Sequence, residues 1–128
     1  MIFVDTNHVL RWFLEEVPTQ AAEVSKLLDT SGQATLQLTS VTIAEVTYVL
    51  RTMRYDHGQI VRILQSFCAH EAICALAEAD VQALDIFEKT TLDYEDCFLV
   101  ARALQENATI ASFDKQLQKT FQKLQFTE

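Results

Sequence analysis

Glycine and proline are nearly missing from this chain: two of the former and one of the latter among 128 residues. So few turn-formers rule out low-complexity, linker-like or proline-rich organisation, and they point to a compact, helix-rich fold with short connections. Cysteine is also sparse. Cys68, Cys74 and Cys97 form no C-x-x-C pair and leave an odd count, which argues against a thiolate metal knuckle or a disulfide framework and fits reduced thiols in a cytoplasm. Long hydrophobic runs are lacking as well. The opening Met1-Ile2-Phe3-Val4 stops at Asp5, so neither a signal peptide nor a membrane span is expected. Basic residues are outnumbered, with ten Lys and Arg against eighteen Asp and Glu and a formal net charge of −8. That balance argues against binding nucleic acid through a general positive field.

What is present is a 49% hydrophobic chain, sized for one domain spanning residues 1–128. Ile2-Phe3-Val4 reads as a short buried strand, and Val9, Leu10, Phe13 and Leu14 mark a helical stripe after it. Pro18 suits the first turn of a second helix, closed by Ser31-Gly32. Strands are predicted over 35–39, 72–76, 109–111 and, short, over 125–127. Helices are predicted over 42–54, 57–67, 80–89, 94–105 and 115–123. Alternation of this kind implies βαβ units, a parallel sheet and helices on both faces. In such sheets ligands bind beyond the carboxyl ends of the strands.

Four acids then stand out. Asp5, Glu45, Asp96 and Asp114 each fall at a junction between a strand-like and a helix-like segment. A parallel sheet would bring all four to one edge, where carboxylates repel one another unless a hard divalent cation is present. Each also has a plainer reading. Asp5 and Asp114 could cap helices, Thr42-Ile43-Ala44-Glu45 has the form of a capping box, and Asp93 could cap the helix that carries Asp96 in its first turn. Lys115, Lys119 and Lys123 recur every four residues and share a helix face, either a solvated face or a ridge for phosphates starting beside Asp114. Arg11, Arg51 and Arg54 are further candidates for phosphate contact.

The local motifs are M-I-F-V-D-T-N at residues 1–7, T-S-V-T-I-A-E-V at 39–46, D-Y-E-D-C-F-L-V-A at 93–101 and A-S-F-D at 111–114. In order and spacing they resemble the PIN-domain family, and most closely its VapC-type toxins of bacterial toxin–antitoxin pairs. The resemblance covers essentially the whole chain. It implies an α/β fold with three layers, α/β/α, around a mainly parallel sheet of four to five strands. It also implies a cytoplasmic endoribonuclease dependent on Mg²⁺ or Mn²⁺. Position by position, Asp5, Glu45, Asp96 and Asp114 match the family's acidic quartet, with Asp5 and Asp96 expected as the main metal ligands, Asp114 completing the site and Glu45 placing a water or a second ion. Thr6 and Asn7 match the polar pair after the first acid, and Ser112 the small hydroxyl residue two before the last. Asp93 is either a helix cap or a supporting site acid. His8 departs from the aliphatic residue usual at its position, and Arg102 from a small one.

The resemblance further implies an RNA substrate, a cognate antitoxin and a homodimer, with no membrane partner. A non-catalytic PIN-like scaffold binding RNA or protein is the main alternative. A haloacid-dehalogenase-type phosphatase would want D-x-D where this chain has Asp5-Thr6-Asn7, and a receiver domain would want an acidic pair that is missing.

Overall fold

The computed structural model describes residues 1–127, with side chains through residue 126. The backbone falls into two compact units, Met1–Leu76 and Ala77–Glu128.

The first unit begins with β1 (Ile2–Phe3), which pairs in parallel with β2 (Leu36–Gln37) in the register Ile2 to Leu36 and Phe3 to Gln37. Between them run α1 (Thr6–Leu14) and α2 (Pro18–Thr30), the latter opened by the chain's one proline, whose missing N–H costs nothing at a first helical position. After β2 come α3 (Ser40–Thr52) and α4 (His57–Cys68). Asp56 and Gln59 close a reciprocal capping box at the start of α4. Leu36, Ile43, Val46, Leu50, Ile60 and Phe67 are almost fully buried and form the centre of this core. Trp12 packs edge-on against Phe67, their rings 5.1 Å apart, so it serves the core.

The second unit is helical: α5 (Glu78–Lys89), α6 (Tyr94–Glu106) and α7 (Lys115–Thr127). Helices α5 and α6 pack closely along one another, and α7 lies on α6. Ala83, Phe87, Tyr94, Cys97, Val100 and Phe121 are buried here. Burial pushes the Cys97 thiol up to about 12 and the Cys68 thiol of the first unit up to about 11, so both are inert thiols.

The sheet is smaller than the four to five strands the sequence pattern predicts. Among the described residues only two short strands pair. The 72–76 segment contributes one parallel bridge, Leu36 to Ile73, before the chain leaves the ladder. The 109–111 segment forms no ladder. The Gln118 side chain donates instead to the carbonyls of Ile110, at 2.8 Å, and of Ser112. Residues 125–127 continue α7, because neither glycine nor proline follows Lys123 to stop it. Short apolar runs do not by themselves distinguish strand from helix or loop, and here the backbone partners decide.

With so little glycine, left-handed backbone falls to other residues. Glu15, Ala34, Arg54 and Asn107 all have positive φ, at 55°, 53°, 69° and 53°. Asn107, the C-cap of α6, tolerates this conformation; the other three carry a Cβ penalty of about 1 kcal/mol each. No helix of the described residues is long and apolar enough to cross a membrane.

Candidate metal centre

In the first unit, Asp5 is the N-cap of α1. Its Oδ1 accepts a hydrogen bond from the His8 backbone N–H at 3.0 Å and lies 2.9 Å from His8 Nδ1. These contacts, led by the backbone N–H, hold the Asp5 carboxyl below its ordinary value. Asp5 lines an open cavity of about 240 Å³ together with Asn7, His8, Arg11 and Gln20. Arg11 is tied down by its Nε, which donates to Gln20 at 2.8 Å. Thr6 is half-buried in the first turn of α1, and Asn7 is exposed beside it. His8, which replaces an aliphatic residue usual at its position, is exposed at this cavity. Its position, three residues after an N-cap acid, is the one from which a side chain reaches back to the cap.

Glu45 is exposed on α3. The capping-box reading of Thr42 to Glu45 is overturned, because the cap is Thr39, whose Oγ1 accepts from the Thr42 N–H at 3.2 Å. The cap therefore falls three residues earlier than the pattern suggests, and Glu45 lies in the second turn of the helix, too far along to serve the orphan N–H groups. Arg51 and Arg54 are exposed at the C-terminal end of the same helix; Arg51 is in its last turn, about 9 Å along the axis from Glu45.

In the second unit, three acids share one neighbourhood. Asp93 is the N-cap of α6, yet its side chain makes no capping bond; its carbonyl oxygen receives the N–H groups of Asp96 and Cys97. Asp96 sits in the first turn, half-buried, with no hydrogen bond or ion pair from its carboxylate among the described residues. Asp114 caps α7, its Oδ1 accepting from the Leu117 N–H at 3.1 Å. The Ser112 Oγ accepts from the Asp114 backbone N–H at 3.0 Å, which shapes the turn that presents this acid.

Two ties hold the neighbourhood in place. Gln116, in the first turn of α7, donates to the Thr91 hydroxyl in the turn before α6. Tyr94, 1% exposed, donates from its hydroxyl to Asp80 of α5 at 2.6 Å, with Asp80 only 2% exposed. This buried bond anchors the start of α6, the turn that carries Asp96, to α5.

The electrostatics follow from the geometry. Asp96 is raised above its ordinary value, first by desolvation and then by the charges of Asp114 and Asp93. Oxygen donors, excess negative charge and an acid that resists ionising suit a hard divalent cation in kind. Among the described residues no three His, Cys, Asp or Glu side chains close on one point, so a cation here would take part of its coordination from water, as magnesium ordinarily does. Lys115 and Lys119 are exposed just beyond Asp114. Arg102 turns away to Glu106, its Nε donating at 2.6 Å. Asp96 also borders an open groove of about 580 Å³ whose floor includes Phe98, Leu99, Ala103 and Ile110.

Neither a curated protein nor a solved structure matches the chain. The sequence model of the PIN domain does, over residues 2–122, which takes in both units and all four acids. By that match the chain belongs to the PIN domain family, α/β proteins that are generally nucleases.

Proposed function

We propose that this protein is a metal-dependent endoribonuclease, the toxin of a toxin–antitoxin pair, acting as one domain. The observation that carries the reading is Asp96. Among the described residues its carboxylate has no compensating partner; it is partly desolvated and stands beside Asp93 and Asp114 in a family whose members are generally nucleases. A structural acid is normally placed where hydrogen bonds or cations favour its charge; one held against like charges is a candidate for function.

Asp96 and Asp114 are assigned as ligands of a Mg²⁺ or Mn²⁺ ion whose remaining positions water would fill; in the first unit, the sequence motifs support Asp5 as a metal-ligand residue and Glu45 as the acid for the attacking water. A bound divalent ion would supply an activated water and stabilise charge on the leaving oxygen. Asp114, with one oxygen engaged by Leu117, has its second oxygen for the ion, and Asp5 is held in the same way by His8. Asn7, Ser112, Thr6 and Asp93 orient these acids. The N-terminal N–H groups of α6 and α7 are suited to phosphate oxygens. RNA is the substrate, and the acidic surface is complementary to a basic segment of an antitoxin. A homodimer in the cytoplasm completes the reading.

The test is cleavage of a panel of structured RNAs with Mg²⁺ or Mn²⁺, using native protein, Asp96→Asn and an EDTA control, alongside thermal melts with and without metal. Cleavage lost in both controls, with a metal-dependent rise in Tm that Asp96→Asn abolishes, supports the enzyme. Folded, antitoxin-free protein that cuts nothing and ignores metal would make the chain a non-catalytic scaffold.

A further inference from the structure

Helix α7 is sharply two-faced. At 3.6 residues per turn, Leu117, Phe121 and Leu124 fall on one side, with Leu117 and Phe121 buried. Lys115, Lys119 and Lys123 fall on the opposite side, all exposed. None of the three has a carboxylate partner among the described residues, although the chain carries eighteen acids. An ordinary solvated helix face mixes signs at this spacing; this one carries lysine alone.

The same ridge carries phenyl rings at its ends. Phe126 falls between the lysines on the helical wheel and is 90% exposed. Phe113, in the turn immediately before the helix, is fully exposed, next to Asp114. That turn is not loose: the Gln118 side chain holds the carbonyls of Ile110 and Ser112 on either side of its apolar start, and the Ser112 hydroxyl holds the Asp114 N–H. A large apolar ring standing in water on a tethered turn has no packing role.

We propose that the outer face of α7 is a binding track for single-stranded RNA, with Lys115, Lys119 and Lys123 contacting successive phosphates and Phe113 and Phe126 stacking on unpaired bases. It rests on the nuclease reading only for the choice of RNA. Each four-residue step rises about 6 Å, comparable to the spacing of neighbouring phosphates in an extended strand. Cationic ridges with aromatic platforms hold single strands without strong sequence preference. A duplex keeps its bases stacked internally and would leave the rings unused. A second copy of this chain is a poor occupant, since a two-fold pairing of this face sets lysine against lysine. The track begins one residue after Asp114, so a strand lying on it leads to the acids of this unit.

The experiment is fluorescence anisotropy with a labelled single-stranded RNA 12-mer and its duplex, on the full chain carrying Asp96→Asn in magnesium, over a range of salt. Binding is read without cleavage, so a failed nuclease assay leaves this result standing on its own. The single strand should bind more tightly than the duplex. A triple Lys115→Ala, Lys119→Ala, Lys123→Ala variant should flatten the plot of log affinity against log salt by about 2, the slope expected for three phosphate contacts to a single strand. Phe113→Ala should weaken binding about tenfold and leave the slope unchanged. Circular dichroism checks that these exposed substitutions leave the fold intact. An unchanged salt slope in the triple variant overturns the proposal. So does a Phe113→Ala or Phe126→Ala protein whose RNA affinity holds while its sedimentation shifts to monomer, which would make the face a protein interface.

Discussion

Asp5 and Asp96 are both acids at the N-terminal end of a helix, one in each unit, and their surroundings treat them in opposite ways. Asp5 is made comfortable: a backbone N–H and an imidazole converge on one oxygen and favour its charge. Asp96 is made uncomfortable: burial and two neighbouring acids disfavour its charge. The same contrast runs through the backbone with its sign reversed. The first unit stores conformational strain in Glu15, Ala34 and Arg54, whereas the second places Asn107, a residue suited to the left-handed region, at its one such position among the described residues. A helix-end acid thus signals a cap or a site only through what faces it.

The largest effect expected from breaking this contrast is at Asp96. Asp96→Asn should lower RNA cleavage by at least about 100-fold, the scale of losing a metal-site group, while raising Tm in EDTA because repulsion and desolvation are relieved. A variant that loses both activity and stability would mark Asp96 as a structural residue instead. Tyr94→Phe comes next. It strips the buried Asp80 of a donor and should cost about 1.5–3 kcal/mol in urea unfolding, with RNA cleavage reduced as the start of α6 loosens. An unchanged midpoint would show that the bond contributes nothing to the anchoring.

Acid titration sharpens the contrast further. Asp5 is depressed in the folded state, so it contributes stability above its unfolded value that is lost as pH falls through the folded one. Asp96 is raised, so its contribution is present below the unfolded value and lost as pH rises through the folded one. Between roughly pH 2 and 6, Asp5→Asn should weaken the fall of Tm towards acid, and Asp96→Asn should raise Tm at the upper end. Melts in which both variants shift in the same direction would contradict the opposed surroundings. The smallest effect concerns the backbone: Glu15→Gly and Arg54→Gly should each stabilise by about 0.5–1 kcal/mol by relieving positive φ, and Asn107→Gly by less. Equal gains at all three positions would remove the backbone side of the comparison.

Much of the helix order is legible from residues. Pro18 opens α2, Asp56 caps α4, and the stripes around Val9–Leu10 and Leu117–Phe121 face inward as their spacing requires. Less legible is the start of α3, where two hydroxyl residues three apart, Thr39 and Thr42, compete to be the cap, and hydrogen bonding selects the earlier. The sheet is the least legible part. A ladder needs a partner at the right register, and nothing in the Thr109-Ile110-Ala111 trio says that a glutamine eight residues past Ile110 will take its carbonyl first.

By itself, then, the sequence determined the helices, the identity of the acids and the family, because periodicity, caps and ordered motifs are local properties of the chain. Only the tertiary structure decided that His8 quiets Asp5, that Glu45 caps nothing, that Tyr94 and Asp80 share a buried bond, and that Asp96 stands against Asp93 and Asp114. These depend on distances between residues far apart in the chain, or on which residue a helix begins with. Electrostatic energy varies with those distances and with burial, and neither is written in the order of the amino acids.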